Sequence, residues 1–340
     1  MSKCDLEIVL DHPDRPYKPG EKLSGFVGVT VNTDCKCNGL TIASQWRTHG
    51  SGNNRSGPNH PTTLFEGEWK AGEQHVHPFE LTVPNGPLTY HGQYLNVDWY
   101  LTARADIPWA LDPKAKTEFV LVDDPSVPAL DHGPLQKTGA TSASGVASGA
   151  VAAIMLGVFA FAGVFMCVGF GSAFHGDWVS AIPFAIVPVL FAGVALFVLS
   201  RFLRNVLASR RLGEVEFTVG PDHVRGGDTL NVRLRMTPRT EVKLDAVRAR
   251  LHAQERCTSG SGTNSHTYTH SVWDETVHLR GPGTLKAGVP IEITGQVQMP
   301  PNPAPSFAAS DEYLHWKVEV ILDAAGWLDW TRAWELAVRP

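Results

Sequence analysis

Alternation of apolar and polar residues is the main pattern in both outer parts of the chain. Every second residue is apolar through 97–103, and the same period of two runs through 79–83 and 316–320. Successive side chains of a strand point to opposite faces, so this period predicts strands with one buried face. Turn signals such as 84–87, with the sequence PNGP, separate the alternating stretches. The outer parts of the chain are therefore predicted to be all β.

The middle of the chain contains two long apolar runs instead. Residues 146–174 and 178–200 contain no Asp, Glu, Lys or Arg. Each run exceeds the roughly 20 residues needed to cross the hydrocarbon of a bilayer. The pattern predicts two transmembrane helices, near 147–171 and 180–200, joined as a tight hairpin. Buried core helices are the alternative, which two charge-free runs in tandem disfavour.

Charges beside these runs predict an orientation. Arg201, Arg204, Arg210 and Arg211 follow the second run at once, and two crossings return the chain to the side on which it started. The positive-inside rule then places both β regions in the cytoplasm. We thus predict an integral membrane protein with the lipid bilayer as one partner. The predicted spans hold no Asp, Glu, Lys or Arg, which favours an anchor over a transporter.

Small residues recur along the first predicted helix. Ala153, Gly157, Ala160 and Gly163 would let a neighbouring helix approach closely. Two neighbours remain open: the second helix of the same chain, or a second copy in a homo-oligomer formed through the transmembrane helices.

The two outer parts also match each other in the order and spacing of several residues. Gly20 and Gly227 each open the pattern Gly-acid-x-Leu, and Trp99 and Trp316 occupy similar places near the end of each half. Such self-similarity indicates an internal repeat. We interpret it as a duplicated β-sandwich, in which two sheets bury their alternate residues and the tryptophans fill the cores.

This pattern resembles the arrestin fold. The first half carries an opening motif, a central motif and a later strand that look like the N-terminal arrestin domain: Tyr17-x-Pro19-Gly20-Glu21-x-Leu23-x-Gly25-x-Val27, Ala71-Gly72-x5-Pro78-Phe79-x-Leu81-x-Val83-Pro84, and Gly92 with Val97-x-Trp99-x-Leu101. The second half is similar to the C-terminal arrestin domain through Ala287-Gly288, Pro300, Ser306 and Trp316-x-Val318. The resemblance implies mostly non-enzymatic adaptors that bind other proteins through loops, sheet edges and concave faces. A membrane hairpin in place of the short interdomain hinge departs from the family pattern.

These observations together predict the domain organisation and fold class. An arrestin-like N-terminal β-sandwich is expected over 1–122, a flexible linker over 123–145, a transmembrane helical hairpin over 146–204 and an arrestin-like C-terminal β-sandwich over 213–340. The predicted fold class is all-β: two tandem immunoglobulin-like or arrestin-like sandwiches separated by the helical hairpin.

Composition narrows the function. The net charge of −5 disfavours a nucleic-acid partner, because phosphate binding needs a basic surface. The five cysteines are odd in number, which is not typical of a disulfide framework and favours a reducing compartment. The sequence contains no GxSxG, P-loop or HExxH motif. We therefore predict no enzyme, no catalytic residue, no cofactor and no metal.

Three groups of residues nevertheless deserve weighing as metal ligands. Cys35 and Cys37 share a strand face and have Cys4 elsewhere; His75 and His77 share another, with His91 across a turn; His266 and His270 lie in a polar segment. Each also has a simpler interpretation, as inert thiols, a polar outward face and a solvated loop respectively. Structural zinc usually takes four ligands at wider spacing, which favours the simpler interpretations.

Two long polar loops, 48–62 and 257–272, occupy matching positions in the two halves. Loops at one end of a sandwich often bind partners, but others are only solvated. The predicted function is a membrane-anchored, arrestin-like scaffold or adaptor that binds a protein partner at the cytoplasmic face. Two alternatives stay open: a membrane-tethered sensor of a lipid or small polar ligand, and a metal-dependent enzyme.

Overall fold

A computed structural model describes residues 2–126, 211–221, 223–324 and 329–340 of the protein. Eighteen strands and a short 3-10 turn, Gly262–Asn264, account for the regular elements assigned within these ranges. The all-β part of the predicted fold class is therefore confirmed.

The N-terminal half is built from eight strands in two sheets. They are β1 (Cys4–Leu10), β2 (Lys22–Val31), β3 (Cys35–Gly50), β4 (Thr62–Trp69), β5 (Gln74–Thr82), β6 (Tyr90–His91), β7 (Leu95–Asp106) and β8 (Lys114–Phe119). One sheet has the order β1-β2-β5; the other has β4-β3-β7-β6, with β8 also paired to β7. All the pairings between these strands are antiparallel.

The C-terminal half repeats this plan with ten strands. They are β9 (Val215–Gly220), β10 (His223–Arg225), β11 (Thr229–Met236), β12 (Val242–Ser259), β13 (His266–Arg280), β14 (Gly283–Leu285), β15 (Ile291–Gln298), β16 (Phe307–Ala309), β17 (Glu312–Ala324) and β18 (Trp330–Arg339). The small sheet has the order β15-β11-β9 and the large sheet β10-β18-β17-β12-β13, with β14 on β12 and β16 on β17. Strand β1 thus corresponds to β9, β2 to β11, β3 to β12 and β7 to β17, which agrees with the predicted duplication.

Each half buries alternate residues of its two sheets, and Leu95 and Val97 at the start of β7 pack with the core of the C-terminal half. Two buried tryptophans, Trp99 and Trp316, occupy equivalent strands, β7 and β17. The indole N–H of Trp99 donates to the carbonyl of Pro87 at 2.7 Å, and that of Trp316 donates to the carbonyl of Ala304 at 2.8 Å. A buried indole needs such an acceptor, and both halves supply it 12 residues earlier in the chain. The β-sandwich part of the predicted resemblance is confirmed by this arrangement.

The helical part of the predicted fold class is corrected. The part of the chain that the structure describes contains no helix with the length and hydropathy needed to span a bilayer. The predicted spans near 147–171 and 180–200 lie outside the described residues, as does most of the basic stretch after them. The prediction depended on hydropathy, and an apolar run does not by itself specify a helix.

Several further predictions depended on that hairpin, and they are wrong on the same finding. They are the lipid bilayer as a partner, the homo-oligomer formed through transmembrane helices, and the location as a two-span integral membrane protein with cytoplasmic β domains. The exact domain boundaries stay predictions.

Candidate functional site

The histidines considered as metal ligands do not meet at one point. His75 and His77 lie on β5 with their rings 6.0 Å apart and turn towards Phe65 and Trp69 of β4, while Val76 between them is 65% exposed. The predicted polar outward face is therefore wrong for this strand. Burial, followed by the charge of His75, lowers the pKa of His77 from its ordinary value. The third histidine of this group lies in β6 and contacts an aspartate of β7 instead.

Three cysteines of the N-terminal half lie close together in its core. Cys4 and Cys37 are buried and Cys35 is half-buried, and all three are free thiols. Burial raises the pKa of Cys4 to about 12, so its thiolate, the form that binds metals, is scarce at neutral pH. Within the described ranges no three His, Cys, Asp or Glu residues are grouped so that they could hold a metal ion.

The two predicted polar loops meet each other at the interface between the halves. The side-chain amide of Asn53 donates to the carbonyl of Gly260 at 3.0 Å, and its oxygen accepts from the Gly260 N–H at 3.1 Å. Arg55 adds an ion pair with Asp311, with 3.1 Å between Nε and Oδ1. Much of the segment 257–272 is strand rather than loop, since β12 extends to Ser259 and β13 begins at His266. These segments therefore hold the two halves together.

A buried carboxylate is the centre of this interface. Glu255 of β12 is fully buried and accepts hydrogen bonds from three consecutive backbone N–H groups of the other half, those of Gln93 at 3.1 Å, Tyr94 at 2.6 Å and Leu95. Gly92 allows this approach, because a Cβ added there would lie 2.7 Å from the Glu255 carboxylate. Three donors from the other half therefore satisfy this buried carboxylate within the protein.

A second buried carboxyl, that of Glu312, lies near the Cys257 thiol, as Glu255 does. It is 1% exposed, and its Oε2 has no hydrogen-bond partner among the described residues. Burial raises the pKa of the Glu312 carboxyl, although a hydrogen bond with Thr48 acts in the opposite direction. The folded protein therefore binds a proton on Glu312 more tightly than the unfolded chain does.

Replacing Glu312 by glutamine is expected to raise the melting temperature at neutral pH. The raised pKa means that the wild-type carboxyl contributes stability below the ordinary glutamate range and loses it as pH rises through the folded-state pKa. Glutamine keeps the shape but does not ionise, so that loss should disappear. Thermal unfolding from about pH 4 to pH 8, spanning the ordinary glutamate pKa of about 4.3, measures the difference. Parallel curves for the two proteins would contradict the burial of a titrating group here.

A separate ion cluster joins the end of the N-terminal half to the C-terminal half. Asp123 is paired with Arg225 of β10 and with Arg339 of β18, the latter with 3.1 Å between Oδ1 and Nη1. The Arg339 side chain is 5% exposed and also donates to the carbonyl of Asn85 at 3.0 Å. Burial lowers the pKa of Arg339, and the carboxylate of Asp123 offsets part of that effect. Asp123 is the first residue of the predicted linker, so the start of that segment is held by buried charges.

An open groove of about 650 Å³ lies beside the interface on the N-terminal half. Asp98 is a buried acidic residue of its lining, and its two oxygens contact the Nε2 atoms of His49 and His91, the latter at 2.7 Å. Arg55, at the rim, is engaged with Asp311. These polar groups satisfy each other, so the geometry does not leave Asp98 free to act as a ligand or base.

The hairpin that joins β7 to β8 carries the most exposed large apolar side chains of the described residues. Trp109 is 104% exposed and Leu111 is 94% exposed. Trp109 also has a φ of 60°, in the left-handed region that costs a non-glycine residue roughly 1–2 kcal/mol. Exposed aromatic side chains held in an unfavourable backbone conformation suggest a binding role. We name Trp109 and Leu111 the apolar tip.

The tip has a rigid base. The Asp112 carboxylate accepts from Nε of Arg104 at 2.9 Å and from the backbone N–H of Ile107 at 3.3 Å. The hydrogen bond with Arg104 lowers the pKa of Asp112, which keeps this carboxylate ionised at neutral pH. Ile107 itself is buried in the core. The tip therefore presents its two apolar side chains on a turn that is already ordered.

Comparison with known proteins adds little to this picture. No protein-family model matches the chain, and no curated protein matches it. Among solved structures, the chain is similar to the crystal structure of Spo0M, a sporulation control protein from Bacillus subtilis. The identity is 13%, the TM-score is 0.30, and the match covers 37% of this chain and 49% of that chain.

The match therefore spans about half the length of that relative. A likeness at this TM-score does not establish a shared fold or a shared function. The strand pairing of the chain itself shows the two β-sandwiches. Membership of the arrestin family stays a prediction made from the sequence motifs.

Proposed function

We propose that this protein is a non-enzymatic scaffold or adaptor that binds a protein partner through the apolar tip. The observation that carries the proposal is the full exposure of Trp109 and Leu111 on one ordered hairpin. Scattered exposed apolar residues are normal on protein surfaces. A tryptophan and a leucine two residues apart, both almost entirely in solvent, are better explained as an anchor for another surface.

The energetics support a protein-binding anchor. A tryptophan buries about 150–250 Å² in a contact, which at about 25 cal/mol per Å² corresponds to about 4 to 6 kcal/mol before the cost of association. Tryptophan is among the residues most enriched at the energetic centres of protein interfaces. The ordered base formed by Arg104 and Asp112 lowers the entropic cost of binding, because little of the turn remains to be fixed.

Serine at both tip positions is expected to weaken partner binding at least tenfold without affecting the fold. Neither side chain contributes to the core, so the double variant Trp109→Ser, Leu111→Ser should unfold at nearly the wild-type temperature. Tagged full-length protein, crosslinked in cells and purified, should bring down a specific partner. Recovery of that partner should fall at least tenfold in the double variant, as expected for an anchor worth more than about 1.4 kcal/mol.

Val289→Ser is the matched control, since Val289 is 51% exposed in the other half of the protein. It should recover the partner as well as the wild type does. Equal recovery by the wild type and the double variant would reject the apolar tip as the binding surface. Absence of any reproducible partner would reject the adaptor proposal itself.

A further inference from the structure

Strand β13 is the terminal strand of the largest sheet. It runs for 15 residues, and among the described strands it is paired only with β12. The opposite edge of a terminal strand presents unpaired N–H and C=O groups, which makes it a template for another strand. None of its residues is fully buried. The strand is therefore available along its length.

A β-bulge divides β13 and changes which residues share a face. The pairing with β12 shifts between Ala253 and Gln254, and Val272 has no partner there. Side chains directly opposite each other lie on the same face of a sheet. The β13 residues opposite buried β12 residues form the inner face: Tyr268, His270, Trp273, Glu275 and Val277. The β13 residues opposite the intervening β12 positions form the outer face: Thr269, Ser271, Asp274 and Thr276.

This bulge fits a two-fold symmetric pairing of β13 with itself. A two-fold axis perpendicular to a sheet keeps each face on its own side, so residues paired across it must belong to the same face. In a regular strand alternate residues share a face, so this condition is met only when the axis passes beside a single residue. The two residues that flank it along the chain then pair with each other across the axis. In β13 the inward-facing residues are even-numbered before the bulge and odd-numbered after it. An even-numbered residue must therefore pair with an odd-numbered one, which requires the axis to pass between two neighbouring residues. An axis between Val272 and Trp273 matches the faces of every pair around it.

The pairs formed in that register are chemically complementary. Antiparallel pairing about the axis between Val272 and Trp273 places the following residues opposite each other: Tyr268 and Val277, Thr269 and Thr276, His270 and Glu275, and Ser271 and Asp274. Aromatic with β-branched and threonine with threonine are pairings that stabilise neighbouring strands. A glutamate carboxylate can accept a hydrogen bond from a histidine ring N–H. No like charges are opposed.

The polar side chains of β13 differ in whether they already have a partner within the chain. Asp274 is already neutralised within the chain by Arg250, with 2.7 Å between Nε and Oδ1. Glu275, by contrast, has no ion pair or hydrogen bond in the described part of the chain. His270 makes a ring contact with Tyr94, at 6.3 Å between centroids, but no side-chain hydrogen bond or ion pair within the described residues. Each of these two side chains would gain a hydrogen-bond partner from the second copy.

We propose that the chain forms a symmetric homodimer in which the β13 edges of two copies pair antiparallel, with His270 of each opposite Glu275 of the other. The two large sheets then become one continuous sheet across the interface. This contact uses the C-terminal half and leaves the apolar tip of the N-terminal half free.

Sedimentation velocity on the full-length protein tests the dimer and its His270–Glu275 pair. The wild type, loaded at about 100 µM, should sediment as a dimer. Glu275→Arg removes both symmetry-related acceptors of the His270 rings and should weaken the dimer at least about tenfold. The double variant His270→Glu, Glu275→Arg places a carboxylate opposite each arginine and should restore the dimer. Glu7→Arg, an exposed change on the terminal strand β1, should leave the dimer unchanged.

The register is tested by disulfide trapping. With Thr269→Cys and Thr276→Cys together, two copies should crosslink under mild oxidation, because directly paired residues lie within reach of a disulfide. With Thr267→Cys and Thr276→Cys, shifted by two residues, they should not. A monomeric wild type, a dimer insensitive to Glu275→Arg, or equal crosslinking of the two cysteine pairs would each overturn the proposal.

Discussion

Replacing Glu255 by alanine is expected to lower the free energy of unfolding by about 3 to 5 kcal/mol, the range for breaking a buried charged interaction. The carboxylate is fully buried and accepts from the backbone N–H groups of Gln93, Tyr94 and Leu95. Alanine leaves these three donors buried between the two halves with no acceptor, and each unsatisfied group costs about 1–3 kcal/mol. Urea unfolding of the full-length protein measures the change.

Two further variants separate the role of the charge from that of the packing. Glu255→Gln keeps the volume and one acceptor oxygen but turns an amide NH2 towards the N–H donors, so it should lie between the wild type and alanine. Glu292→Ala removes an exposed carboxylate that is paired with Arg233 and Arg235, and should cost no more than about 1 kcal/mol. If Glu255→Ala unfolds like Glu292→Ala, the carboxylate does not hold the interface.

Alternation along the strands was enough to predict most of the fold. Period-two segments reappear as β5, β7 and β17, and the matching positions of Trp99 and Trp316 correspond to equivalent strands with equivalent indole hydrogen bonds. Such features are predictable because burial of one strand face is a local property of the sequence. The apolar runs of 146–174 and 178–200 show the limit, since hydropathy alone led to the helical hairpin that is corrected above.

At the interface between the two halves, one feature could be predicted from the sequence and another could not. From residue 249 to residue 257 of β12 the inward positions are Ala249, Leu251, Ala253, Glu255 and Cys257. A glutamate in the inward phase of an otherwise apolar series must find hydrogen-bond donors in the interior, so Glu255 could have been identified as a structural carboxylate. Its partners could not, because backbone N–H groups leave no mark in the sequence. The role of the polar loops 48–62 and 257–272 could not be predicted either. Glycine and small polar residues suit a loop that binds a partner as well as one that contacts the other half of the same chain.

The apolar tip was missed for a different reason. Trp109 and Leu111 lie between the strands in the segment IPWALDP, where apolar residues beside two prolines look like the ends of buried strands. Only the three-dimensional structure shows that Ile107 enters the core while Trp109 and Leu111 do not. Exposure of this kind depends on the exact point at which the chain reverses, which is set by the Arg104–Asp112 pair on the two sides of the hairpin.

The second interdomain contact differs from the first because it involves three charges. Asp123 lies between Arg225 and Arg339, and the side chains of Asp123 and Arg339 are 7% and 5% exposed. Its Oδ1 is 3.1 Å from Nη1 of Arg339 but is not aligned for a hydrogen bond. The pair is therefore mainly electrostatic. Such a contact contributes little beyond its desolvation cost while intact, but it is costly to break on one side only.

Asp123→Ala is accordingly expected to destabilise the protein by about 3 kcal/mol, because it leaves the buried guanidinium of Arg339 without a counter-charge. The neighbouring Asp124→Ala is the control. Asp124 accepts only from the N–H and hydroxyl of Ser126 in the described chain, at the surface, and should cost less than about 1 kcal/mol. Arg339→Met, with an apolar side chain of similar length, should recover part of the loss when combined with Asp123→Ala, since it removes the uncompensated charge. Urea unfolding of the two single variants and the double variant gives the coupling between the residues. Additive effects would mean that Asp123 and Arg339 do not stabilise each other, and that Asp123 acts through Arg225 instead.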